Sequence, residues 1–173
     1  TNGSSSYIKT NYNPGTDAVN WLLNSASMGF YIRTNTYANN QDVISIGSGS
    51  KNYAVLRINL AAFRFYINAA IYVLLAHGND VTGFTIMTRQ NATTIAYARN
   101  SAVYTTASSN STGIPDQALG IFVGAYNNNG SAINYTPQQF SFAFGGGQLT
   151  ELQKTKLYEA MERYLDRFGK GVN

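Results

Sequence analysis

Cysteine is absent from the 173 residues, which excludes disulfides, thiolate nucleophiles and cysteine-rich zinc sites but leaves the compartment open. Charge is scarce too, with Lys, Arg, Asp and Glu making up only 12% of the chain. There is one histidine, His77, and one tryptophan, Trp21. All three glutamates, Glu151, Glu159 and Glu162, lie in the closing segment, so the body before it holds only Asp17, Asp42, Asp80 and Asp116 as acids. Glycoside hydrolysis usually needs two carboxyl groups across the scissile bond, and such a pair is hard to assemble from these four. A lyase would need His77 paired with a tyrosine as base and acid. His77 follows Leu74, Leu75 and Ala76 and precedes Gly78 and Asn79, the setting of a strand end or loop.

Metal-ligating types are dispersed. Asp17 with Asn20, or Asp80 with Asn79, could hold a structural calcium through loop carbonyls, but the same residues form Asx turns, so no cofactor is expected. Gly145, Gly146 and Gly147 precede a helix without the lysine of a phosphate-cradling loop. The longest apolar run, AAIYVLLA at 69–76, is far short of the roughly 20 residues that span a bilayer, so no membrane insertion is expected. The formal charge of +4 is spread over Lys9, Arg33, Lys51, Arg57, Arg64, Arg89 and Arg99 rather than gathered in a stripe, which argues against a nucleic-acid partner. The opening TNGSSSYIKT, with no initiator methionine, suggests a domain of a larger parent protein or oligomer.

What the chain does have is aromatic and amide decoration. Thirteen tyrosines and nine phenylalanines sit among Gly, Asn, Ser and Thr clusters, the pattern of an all-β body. Alternation of period two sets Met28, Phe30 and Ile32 against Tyr31 and Arg33, Leu56 and Ile58 against Arg57, and Phe63, Phe65 and Ile67 against Arg64 and Tyr66. It likewise sets Phe84 and Ile86 against Met87 and Arg89, and the Arg and Tyr members are expected to face outward. Further strands are expected at 7–10, 43–47, 93–99 and 121–126, the last interrupted at Gly124, giving about ten in all. The run at 71–76 reads as a strand buried on both faces or a short helix, its Ile, Tyr and Val favouring strand.

In the closing segment Phe140, Phe142 and Phe144 alternate with small residues, placing three rings on one core face. Thr150 with Gln153 forms a capping box, and Leu152, Leu157, Met161, Tyr164, Leu165 and Phe168 recur at near-helical spacing before Gly169. The helix is expected over about 151–168, covering an open edge or seam of two antiparallel sheets packed face to face.

Three segments carry a resemblance: YIKTNYNPGTDAVNWLLNSASMGFYIRT, GFTIMTRQNATTIAYARNSA, and IFVGAYNNNGSAINYTPQQFSFAFGGGQLTELQKTKLYEAMERYL. Together they resemble the concanavalin A-like lectin and glucanase (LamG-like) jelly-roll domains of phage tail proteins and exported bacterial proteins. Ser101, where that pattern has Gly, and the flexible Gly145 to Gly147 turn depart from it in loop shape. The resemblance implies an all-β jelly-roll sandwich with one C-terminal helix, as a single domain over 1–173, in an extracellular or virion-surface protein. It implies rim loops and a curved sheet able to hold a glycan or polysaccharide, with no fixed catalytic set. The E-x-D-x-x-E strand of a laminarinase-like enzyme is missing.

Sugars stack their CH faces on Tyr and Trp and pair their hydroxyls with Asn and Arg. The expected function is therefore non-catalytic carbohydrate recognition within a larger tail-fibre, surface or polysaccharide-degrading protein. Candidate ligand-binding residues are Tyr31, Arg33, Arg57, Arg64, Tyr66, Tyr126, Asn127, Asn128 and Asn129, and Trp21 is expected to pack. The alternatives are a lyase or hydrolase of the same fold, and a structural or assembly domain.

Overall fold

A computed structural model describes residues 2–36, 38–47, 53–101, 103–116 and 118–171. Within them the chain forms β1 (Ile8–Lys9), β2 (Ala26–Ile32), β3 (Gln41–Gly47), β4 (Tyr53–Ile58), β5 (Ala62–Ala69), β6 (Val73–Ala76) and β7 (Gly83–Arg89). There follow β8 (Thr94–Arg99), β9 (Thr105–Ser108), β10 (Phe122–Val123), β11 (Tyr126–Asn128), β12 (Ser131–Ile133), β13 (Phe140–Gly146) and the helix α1 (Glu151–Asp166). The strands make two sheets. One runs β1-β10-β3-β4-β5-β6 with the β11–β12 hairpin joined to β3, and the other runs β13-β2-β7-β8-β9. Every pairing is antiparallel except the short contact of β11 with β3. This is the jelly-roll sandwich with one C-terminal helix.

Alternation explains the central layer. Met28, Phe30 and Ile32 of β2, Leu56 and Ile58 of β4, and Phe63, Phe65 and Ile67 of β5 meet there with Trp21. Trp21 is a packing residue, its Nε1 donating to Asn68 Oδ1 at 2.9 Å. Each such ring or branched chain contributes roughly 1.5–3 kcal/mol by leaving water.

Much of the outer side of β13, β2 and β7 in the five-stranded sheet does not face solvent, and several expectations change. The helix lies across this sheet's outer face rather than on an edge or seam, burying Tyr31, Phe84, Ile86, Ala98 and Leu165 against Phe142, Phe144, Leu157, Tyr158 and Met161. Its capping box forms as expected between Thr150 and Gln153. Arg89 is fully buried rather than outward, because its side of β7 faces the central layer. There its Nε donates to the Ile67 carbonyl at 2.7 Å and its Nη1 to the Ser109 carbonyl at 2.7 Å.

The three phenylalanines of β13 divide between layers. A register shift between Phe140 and Phe142 breaks the alternation, so Phe140 packs on the central core while Phe142 and Phe144 pack under the helix. Of the 71–76 run only Val73–Ala76 forms a strand, β6 at the sheet edge, with Leu74 exposed on it and Ile71 exposed before it, not a strand buried on both faces. Gly124, at φ +89°, separates β10 from β11 at the expected interruption.

Candidate functional site

No helix covers the outer face of the eight-stranded sheet among the described residues. On β4, Ala54, Leu56 and Ile58 point inward, so Tyr53, Val55 and Arg57 point out. On β5, Phe63, Phe65 and Ile67 point inward, so Arg64 and Tyr66 point out. Register places Val55 opposite Tyr66 and Arg57 opposite Arg64. On β3 a register shift between Asp42 and Ile44 places Asp42 opposite Arg57 while Val43, Ile44 and Ile46 all enter the core. A bulge of this kind re-aims one side chain without moving the strand.

Tyr53, Val55, Arg57, Tyr66, Ala70 and Tyr126 line a recess of about 260 Å³ on this face. The Arg57 guanidinium lies 5.5 Å from the Tyr126 ring centroid, and Tyr66 stands 5.4 Å from Tyr53 and 5.5 Å from Tyr72. Arg64 in turn lies 4.8 Å from the Tyr72 ring. The recess therefore opens among half-buried phenols flanked by two cations. Gly47 permits it: a Cβ there would overlap both the Tyr126 hydroxyl and the Tyr53 ring. Another recess, of about 230 Å³, is lined by Thr10, Tyr12, Ile44, Ile121, Val123, Ala143, Phe144 and Gly145 and offers mainly apolar contact.

Arg57 Nε donates to Asp42 Oδ1 at 2.9 Å, with 18% of the arginine side chain exposed and none of the aspartate's. The second aspartate oxygen, Oδ2, has no partner at bonding geometry, although the Asn134 side chain helps to hold the ionised form. Burial disfavours both charges. At Asp42 burial outweighs the attraction of Arg57, and the pKa is pushed up to about 6. At the more exposed Arg57, burial is outweighed by Asp42 and the pKa is raised. Burial raises Tyr66 against the opposing pull of Arg57 and Arg64, and takes Tyr126 up to about 12. Both phenols therefore stay protonated at neutral pH, as hydrogen-bond donors rather than bases.

Of the nine residues expected to bind, the structure brings Arg57, Tyr66 and Tyr126 to the recess and Arg64 to its flank. Asn128 pairs with Gly47 and is exposed on the same side of β11 as Tyr126. Asn129 is exposed in the following turn at φ +51°.

Three of the nine are corrected. Tyr31 points away from the central core but is fully buried beneath α1, its hydroxyl donating to Glu162 Oε2 at 3.2 Å. Asn127 is also buried: its backbone N–H donates to Ser45 Oγ at 3.0 Å, and its side-chain amide donates to the Ala118 and Gly120 carbonyls. Arg33 follows β2 in the other sheet and is held by Gln139 Oε1 at 3.1 Å.

Sequence reasoning missed Tyr53, Tyr72 and Asp42. Tyr53 shares the phase of Arg57 and would have followed from starting β4 one residue earlier, whereas nothing in the sequence announces the bulge at Asp42. His77 lies outside the recess, with Nε2 2.7 Å from the Asn59 carbonyl oxygen and its ring edge-on to Phe63. Asp17 accepts from the Asn13 backbone N–H, and Asp80 accepts from Thr82 and pairs with Arg99 at 3.2 Å, so both serve their own loops.

No family model and no curated protein matches the sequence. Solved structures do resemble the fold. The Ruminococcus gnavus IT-sialidase CBM40 superposes with a TM-score of 0.55 at 12% identity, over 90% of this chain and 94% of that one. The same domain bound to alpha2,3 sialyllactose gives 0.56 at 12% identity over the same shares. The K499G mutant of NanB sialidase from Streptococcus pneumoniae gives 0.53 at 14% identity, over 88% of this chain but 27% of that chain.

Proposed function

We propose that this chain is a non-catalytic carbohydrate-binding module whose ligand lies across β4 and β5, in the recess of Tyr53, Arg57, Tyr66 and Tyr126. The observation that carries the reading is an uncovered sheet face on which phenol rings and arginines converge. Sugar rings stack on such phenols while their hydroxyls accept from guanidinium and phenol donors. Likeness in fold to a carbohydrate-binding module crystallised with a bound oligosaccharide supports the same reading. So does the protonated state of Tyr66 and Tyr126, which suits them to recognition rather than proton abstraction. In this role the module belongs to a larger exported or virion-surface protein, where several copies acting together offset modest affinity.

Titration of purified protein against a glycan array and a polysaccharide panel tests the reading. Retention of at least one glycan is expected, and Tyr66→Ala is expected to weaken it ten-fold or more with the thermal midpoint little changed. Release of reducing ends or unsaturated products by the wild-type protein would overturn it, as would equal affinity in Tyr66→Ala. Arg57→Ala is a poorer probe, because it strands the buried Asp42 carboxylate.

A further inference from the structure

We infer that the recess takes a sugar bearing an acidic substituent, a carboxylate or a sulfate ester, with Arg64 and Arg57 as the cations that receive it. The inference rests on the glycan-binding reading above and adds the charge of the ligand. It is carried by an imbalance in the site.

Arg57 and Arg64 stand directly opposite each other on adjacent strands, where like charges repel. Arg57 has Asp42 beside it. Arg64 has no such partner: the ion pairs among the described residues are Arg57–Asp42, Arg99–Asp80 and Lys154–Glu151. Apart from Arg57, the groups set against the Arg64 guanidinium are neutral. The Tyr72 ring lies 4.8 Å away, and the Asn59 side-chain oxygen, with its amide turned to face the arginine, accepts from Nε at 3.1 Å and Nη2 at 2.7 Å. Two cations thus share one buried anion, which is itself out of a ligand's reach. An acidic group laid across β4 and β5 would restore the balance through charge-assisted hydrogen bonds, with the sugar ring resting on Tyr66 between Tyr53 and Tyr72.

The same geometry sets a pH dependence. The titratable and charged groups around the Asp42–Arg57 pair are Tyr53 of β4, Tyr66 and Arg64 of β5, and Tyr126 of β11, with the Asn134 side chain beside the carboxylate. Tyr66 and Tyr126 are held protonated and Arg57 charged, so Asp42 is the group that changes below neutrality. As it takes up its proton near pH 6 the site gains one positive charge. Sugar carboxylates and sulfate esters remain ionised at pH 5, so their binding tightens on acidification while that of neutral sugars does not.

Calorimetry with paired probes tests this: sialyllactose against lactose, oligogalacturonate against its carboxyl-reduced form, and a sulfated oligosaccharide against its desulfated form, each at pH 7.5 and 5. The acidic member of at least one pair is expected to bind ten-fold or more tightly than its neutral partner, and several-fold more tightly still at pH 5. Arg64→Gln is expected to erase that preference while retaining the wild-type circular dichroism and thermal midpoint. Which pair shows the preference tells carboxylate from sulfate. Equal binding of acidic and neutral members, or a preference that survives Arg64→Gln, overturns the inference and leaves the glycan-binding reading standing. Failure of every member to bind, neutral ones included, overturns the inference, and the glycan-binding reading falls with it when the array and polysaccharide panel also retain nothing.

Discussion

The two outer faces of this sandwich are built from similar residues and end in opposite conditions. On the five-stranded sheet, Tyr31, Phe84, Ile86, Phe142 and Phe144 lie under α1 and form a second core. On the eight-stranded sheet, Tyr53, Tyr66, Tyr72 and Tyr126 stand with Arg57 and Arg64, with no helix above them among the described residues. An outward tyrosine is therefore not by itself a binding residue. What covers the face decides between a stability role and a recognition role.

The sharpest way to break the comparison is to truncate one ring on each face. Phe84→Ala, beneath the helix, should cost about 3–5 kcal/mol in chemical denaturation, whereas Tyr66→Ala should change stability by roughly 1 kcal/mol or less while weakening ligand binding ten-fold or more. Equal losses from both would mean that the two faces are not energetically distinct.

A smaller effect concerns the acid under the open face. Asp42 binds its proton more tightly folded than unfolded, so its stabilising contribution is full below about pH 4 and lost as pH rises through about 6. Its share of the stability gained between pH 7.5 and 5 should be roughly 1–2 kcal/mol. That share is read as the difference between wild type and Asp42→Asn in urea melts at the two pH values, and parallel pH profiles would contradict it. Smallest of the three, Thr150→Ala should cost about 1 kcal/mol by removing the cap that starts the covering helix, seen as a lowered denaturation midpoint.

The contrast also explains what could be read in advance. Alternation along β4 and β5 separated inward from outward residues correctly, and Thr150 with Gln153 marked the start of the helix. The same alternation failed for Tyr31, because period two tells which residues share a face but not whether that face is covered, and for Arg89, because it does not tell which side of β7 is the core side. It failed again at Phe140, where a register shift sends that ring to the central core and leaves Phe142 and Phe144 on the helix side. Arg57 and Tyr66 were legible as neighbours on one outer face because they lie in regular strand segments. Asp42 was not, because its place depends on a bulge, and Asn127 was misread because its amide serves the neighbouring loop backbone.

Arg89 gives the sandwich a clasp of a different kind from the Asp42–Arg57 pair. Its guanidinium is held by carbonyl dipoles of Ile67, Asn91 and Ser109, and although burial lowers its pKa to about 10 it keeps its charge across the physiological range. The joint it makes between β5, β7 and the segment after β9 is thus indifferent to acidity. The scaffold can hold its shape while the charge of the recess above β4 and β5 is retuned.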